Sequence, residues 1–198
     1  MASVEGQGPN LIYLVAIIMP TSIDVVPRGW SALADADSFY PDDLPQDWQL
    51  TYFANVFPAV LVPGPLWQQR SEAELADWHA DVHHGFRFYL ELTSSTDDGA
   101  RSRATAALGS ALIAFVAEAP EPRGTEQVTE LARALIAPHS GHRIGASRRC
   151  PRNLNENLRD ARGWLDAQAE PPRLLILDRP LSSELEAWRN LLLLLGRC

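Results

Sequence analysis

Residues 56–92 read VFPAVLVPGPLWQQRSEAELADWHADVHHGFRFYLEL, and this stretch decides the fold class. Val56–Val62 is a short apolar run closed by Pro63-Gly64-Pro65, which reads as a buried strand and its break. Ser71 followed by Glu74 is a capping-box pattern, and Leu75, Trp78 and Val82 then fall on one helical face. Gly85 stops that helix. FRFYLEL (86–92) alternates with period two, placing Phe86, Phe88, Leu90 and Leu92 on one face and Arg87, Tyr89 and Glu91 on the other. A strand, a helix and a second strand in this order form a parallel α/β unit.

The same pattern extends in both directions. Leu11–Met19 and Ser22–Val26 read as strands separated by Pro20, and 46–55 reads as a helix presenting Trp48, Tyr52 and Phe53 to the core. Residues 94–107 are small and polar and read as a loop, followed by a strand at Ala111–Ala117. Val128, Leu131, Leu135 and Ile136 mark a helix by their spacing, and Arg143–Ala146 a short strand. A helix from about Asn153 carries Leu158, Trp164 and Leu165. RLLILD (173–178) is a strand, and Ser183 with Glu186 caps a last helix running through Leu195. The reading is one α/β domain over 1–198, in which residues 1–21 form an N-terminal extension with an extra strand. Interleaved strands and helices of this kind close into a parallel sheet or a barrel.

Composition limits the function. The chain has 198 residues, 46% of them apolar, and a net charge of −8. That is enough apolar mass for a core without disulfide or metal staples, and the acidic balance disfavours nucleic acid and anionic membranes. All 17 basic residues are arginine, which removes Schiff-base, pyridoxal-phosphate and Walker-lysine chemistry. Two cysteines, Cys150 and Cys198, make no secreted disulfide framework. No basic n-region precedes the nine-residue run Leu11–Met19, and a spanning helix needs about 20 apolar residues. The expectation is a cytoplasmic protein without membrane contact. Charge is unevenly spread: residues 1–100 hold three arginines against 14 acids, and residues 101–198 hold 14 against 11. The densest basic stretch, 143–162, includes Arg148, Arg149 and Arg152, whose guanidinium forks match oxyanions. The other reading of that stretch is a surface that answers the acidic first half.

At residues 23–67 the order of motifs becomes recognisable. IDVVPRGW (23–30), SFYPDDLPQDWQLTYFANVF (38–57) and AVLVPGPLW (59–67) resemble the opening of the domain-of-unknown-function 72, or YecE-like, family. The segment from Trp78 through GFRFYLEL is similar to that family's second helix and third strand. The resemblance covers 23–92 well and 108–120 weakly, and it implies a TIM-type (β/α) barrel. A full eight-unit barrel takes about 250 residues, so the expected form is incomplete or diverged. Where the family carries a Val-Glu-x-Asn strand and then Phe-Tyr, this chain has Val60-Leu61-Val62-Pro63 and then Leu66-Trp67. Where the family's third strand ends in lysine, Glu91 stands here. The resemblance thus implies a barrel mouth stripped of most of its polar groups.

Reactive groups of a parallel barrel sit at the C-terminal ends of its strands. Glu91, Glu118 and Asp178 fall there and are the candidate catalytic carboxylates, which would divide acid and base roles if their environments separated their pKa values. The competing reading is a strand-end carboxylate paired with an arginine. Trp30, Tyr40, Trp67 and Tyr89 are candidate ligand contacts, whereas Trp48 and Tyr52, at helical spacing, read as core. His79 and His83 have the spacing of a zinc-chelating helix face, but Ala80 stands where HExxH needs its glutamate, so no metal is assigned. The Gly6-Gln7-Gly8 stretch precedes a strand instead of following one, so no dinucleotide cofactor is called for. The leading expectation is a diverged, non-catalytic barrel acting as a binding or complex subunit, with a protein partner or a second copy. The alternatives are a small-molecule hydrolase using the three carboxylates, and an oxyanion or nucleic-acid binder using Arg148, Arg149 and Arg152.

Overall fold

The computed structural model describes residues 22–117, 133–156 and 158–197. The extra strand expected at Leu11–Met19 therefore lies outside the described residues, as does Glu118. Seven strands form one sheet: β1 (Asp24–Pro27), β2 (Ala59–Val62), β3 (Arg87–Glu91), β4 (Leu112–Val116), β5 (Arg133–Ile136), β6 (Arg143–Arg149) and β7 (Leu174–Leu177). Their order is β1-β7-β6-β5-β4-β3-β2. The two outer strands meet through a parallel bridge between Arg28 and Leu61, where the Gly29 amide donates to the Leu61 carbonyl at 2.8 Å. The sheet is thus a nearly closed barrel. Gly29 makes that contact with φ +98°, a backbone conformation glycine adopts without strain.

Eight helices among the described residues surround or cap the sheet. Four precede β3: α1 (Ala36–Phe39), α2 (Gln49–Val56), α3 (Gly64–Trp67) and α4 (Glu72–Ala80). Four follow it: α5 (Asp98–Leu108), α6 (Arg152–Glu156), α7 (Ala161–Asp166) and α8 (Ser182–Leu194). The two-residue alternation of the strands divides the core. Inside the barrel, Val26, Ala59, Leu61, Tyr89, Ala114, Val116, Leu135, Leu174 and Ile176 pack together. Outside it, Val60, Phe88, Leu90, Phe115 and Leu175 pack with Phe53, Leu75, Leu108, Leu165 and Trp188 of the helices. The apolar face of FRFYLEL meets the helices, and its Arg87-Tyr89-Glu91 face turns to the barrel axis. The capping box of α4 forms as read, with the Glu74 amide donating to Ser71 Oγ and the Ser71 amide donating to the Glu74 carboxylate.

Several expectations are corrected. β5 runs antiparallel to both neighbours, so the sheet is six parallel strands with one reversed. Leu135 and Ile136, read as helical, lie in that strand; two adjacent apolar residues fit either period, and Leu135 is pulled inward by the barrel core. Residues 98–107, read within the loop 94–107, belong to helix α5, whose buried stripe is too small to signal itself: Ala100, Ala104 and Leu108, capped by the Asp97 side chain accepting from the Ala100 amide at 2.6 Å. Trp48 stands 62% exposed instead of in the core, since it closes a 3₁₀ turn before α2. The strand read at Arg143–Ala146 continues to Arg149. Among the described residues no helix is long and apolar enough to cross a membrane.

The last helix also starts differently. It begins at Ser182 after the N-cap residue Leu181, whose amide donates to the Glu184 carboxylate at 2.9 Å, and it is also held from a distance: Asp35 accepts from the Ser182 amide at 2.9 Å and from Ser182 Oγ at 2.6 Å. Asp35 therefore fastens the loop after β1 to the start of α8. Asp35→Ala is expected to cost about 1–2 kcal/mol in urea unfolding, the ordinary value of an N-cap. A cost no larger than that of a neutral surface change at Asp37 would show the contact to be incidental.

Candidate functional site

The C-terminal ends of the parallel strands gather a line of alternating charges. Glu91 ends β3, Arg28 follows β1, and the reversal of β5 brings its first residue, Arg133, to the same end. Arg28 Nη2 lies 2.5 Å from Glu91 Oε2, and Arg133 Nη1 lies 2.7 Å from Glu91 Oε1. Arg28 thus holds Oε2 and, from Nε at 3.3 Å, also reaches Oε1, which Arg133 shares. The side chains of Glu91 and Arg133 are 7% and 8% exposed, against 39% for Arg28. Burial alone would raise the Glu91 pKa, but hydrogen bonds from Arg28 and Arg133 outweigh it and hold the carboxyl below its usual range.

The line continues to the far wall. Asp178, just past β7, adds to the field that raises the Arg28 pKa after the larger effect of the Glu91 hydrogen bond. It also pairs with Arg149 Nη1 at 3.4 Å, with about half of its side chain exposed. Arg149 Nε is buried and has no hydrogen-bond partner among the described residues. Arg148 precedes it on β6, and Arg152 is exposed at the start of α6. Two of the three candidate carboxylates, Glu91 and Asp178, thus share one mouth with Arg28 between them. Glu91 is ionised and fully occupied, so it is poorly suited to give or take a proton.

The aromatic candidates sit apart from this line. Trp67 is 1% exposed, lies tilted against Phe115 and donates from Nε1 to the Glu91 carbonyl at 2.9 Å, which fixes the end of β3. Tyr40 is buried and donates its hydroxyl to the Trp30 carbonyl; burial raises its pKa. Trp30 is half-buried and meets Trp78 edge to face at 5.2 Å. Tyr89 lies inside the barrel and points to the opposite mouth, where its hydroxyl donates to Asp24 at 2.7 Å. Helix α4 ends at Ala80, before the Gly85 turn, so His79 and His83 do not share a helical face. Among the described residues no cluster of three His, Cys, Asp or Glu side chains gathers. Cys150 is buried, and that burial pushes its thiol up to about 12, which leaves it inert.

Sequence reading missed Arg28 and Arg133. Arg28 stands inside IDVVPRGW as one arginine among 17, and Arg133 falls in the stretch read as helix. Their partner lies 63 and 42 residues away, respectively, a separation no local pattern reports.

The family model described as Protein of unknown function DUF72 matches residues 27–142. That span contains Arg28, Glu91 and Arg133. No curated protein and no solved structure matches.

Proposed function

The chain belongs to the DUF72 family of proteins of unknown function, and we propose that it is a non-catalytic binding barrel whose C-terminal mouth receives an oxyanion. The carrying observation is the Glu91 carboxylate held between Arg28 and Arg133. Two guanidiniums on one carboxylate leave that cluster with an excess positive charge, and the carboxylate is fixed as scaffold. Arg149, whose Nη1 pairs with the half-exposed Asp178 at 3.4 Å and which has no other ion-pair partner among the described residues, supplies the donor an oxyanion would take. Asp178 acts as a resident counter-ion that the ligand displaces. In this reading the barrel is a TIM-type cylinder with β5 reversed, and six parallel strands aiming at one mouth support it. The hydrolytic reading is weaker, because Glu91 would have to leave two arginines before transferring a proton.

The test uses inorganic phosphate and sulfate as probes of the full chain at low ionic strength. A ligand at about 100 times its Kd stabilises the folded state by roughly 2.7 kcal/mol, a clear rise in Tm. Arg149→Gln is expected to abolish the rise, and Asp178→Asn to tighten phosphate binding several-fold by removing the competing carboxylate. Binding should also weaken steeply with salt. No rise in Tm with either anion, or a weaker Asp178→Asn variant, would overturn the proposal.

A further inference from the structure

The opposite mouth of the barrel holds a cavity of about 720 Å³. It opens at the N-terminal ends of the parallel strands, since Asp24, Arg87 and Arg173 stand at or just before the starts of β1, β3 and β7. Its depth is apolar: Ile113 and Ile144 form walls, and Leu135 with the Tyr89 ring closes the inner end. Its rim is cationic, with Arg87, Arg173 and Arg189 against Asp24. Asp24 is already occupied, taking Nε and Nη2 of Arg87 at 2.7 Å each and the Tyr89 hydroxyl at 2.7 Å.

Arg173 is placed differently. Its main chain is tied on both sides, its amide donating to Ala146 and its carbonyl accepting from Asp24, each at 2.9 Å. Its stem lies over Gly145, where a Cβ would come within 2.8 Å of Arg173 Cδ. The guanidinium so positioned makes no hydrogen bond or ion pair among the described residues.

We propose that this cavity is a second binding site, for a small amphipathic acid whose carboxylate or phosphate head meets Arg173 and whose apolar tail fills the barrel end. The apolar depth takes a tail that water would not favour, and the rim rejects a cationic head. Asp24, the one carboxylate among the described rim residues, is neutralised in place by Arg87, so it does not repel the head. This site lies at the other end of the barrel from the oxyanion mouth and does not depend on it.

Titration calorimetry of the full chain with octanoate, octyl phosphate and octanol tests this. Octanoate or octyl phosphate is expected to bind with a Kd of about 1 mM or tighter, a modest value for a ligand of that size. In the Arg149→Gln background, where the other mouth no longer takes phosphate, the better binder of the two identifies the head group. Octanol, with the same tail and no charge, should bind about tenfold more weakly, the worth of one charge-assisted hydrogen bond. Arg173→Gln should cost the same factor, and Arg173→Lys should recover part of it. Arg149→Gln should leave octanoate binding unchanged, and Arg173→Gln should leave the phosphate response at the other mouth unchanged. Equal binding of octanol and octanoate, no binding of either acid, or an Arg173→Gln variant that binds like wild type would overturn the proposal.

Discussion

Glu91→Ala is expected to destabilise the protein by about 3 kcal/mol, because it leaves Arg133 buried beside Arg28 with no carboxylate between them. The figure sits at the low end of the range for a broken buried pair, since Arg28 is 39% exposed and its charge is partly solvated. Glu91→Gln keeps the shape and loses the charge, so a smaller cost is expected. Glu91→Leu combined with Arg133→Met should recover much of the loss, because removing both partners no longer strands a buried charge. Acid carries the same information. The folded pKa of Glu91 lies below its unfolded value of about 4.3, so its contribution is present above that pH and is lost as the pH falls through the folded pKa. Wild type and Glu91→Gln should therefore converge in stability on acidification below about pH 4. Urea unfolding of the four proteins between neutral and acid pH measures this. A Glu91→Ala cost under about 1 kcal/mol would mean that the arginines find water instead, and the fixed scaffold at the mouth would be lost as an argument.

The parts of this fold that could be read from sequence are those whose signal is local. The alternation of FRFYLEL assigned both faces of β3, and Ser71 with Glu74 assigned the start of α4, because each pattern is complete within a few residues. The parts that could not be read depend on distant partners. Helix α5 buries only alanines and one leucine, so its stripe is nearly silent on a hydropathy scale until the neighbouring sheet is known. β5 is a strand because β4 and β6 flank it, and its four residues RALI carry no period of their own. The first amide of α8 is met by Asp35, 147 residues earlier, and its local box is Leu181–Glu184, so the Ser183–Glu186 spacing pointed two residues too far along. The site follows the same rule. Glu91 was legible as a strand-end carboxylate facing the axis, but whether it would be a free acid or a clamped one depended on Arg28 and Arg133, which only the nearly closed sheet brings to it.

Trp67 separates a ligand contact from a structural one by a measurement of stability alone. A ligand-stacking tryptophan on a pocket floor would cost little in the unliganded protein when removed. The structure instead has Trp67 1% exposed, with its ring 5.8 Å from that of Phe115 and its indole N–H on the Glu91 carbonyl. Trp67→Ala is therefore expected to cost about 3–5 kcal/mol, the price of a cavity where a large aromatic packed. Trp67→Phe should cost about 1–2 kcal/mol, leaving much of the packing and freeing one buried carbonyl. The helix bearing Trp67 is pressed hard against the strand end. A Cβ on Gly64 would lie 2.5 Å from Thr93 Cγ2 and 3.2 Å from the Glu91 carbonyl, so only glycine lets α3 lie this close to the end of β3. Trp67→Phe should accordingly weaken phosphate binding at the C-terminal mouth as well as stability, because the strand end that aims Glu91 at Arg28 and Arg133 is no longer fixed. Urea unfolding with phosphate titration of both variants decides it. A Trp67→Ala protein within about 1 kcal/mol of wild type would return Trp67 to the role of a ligand contact.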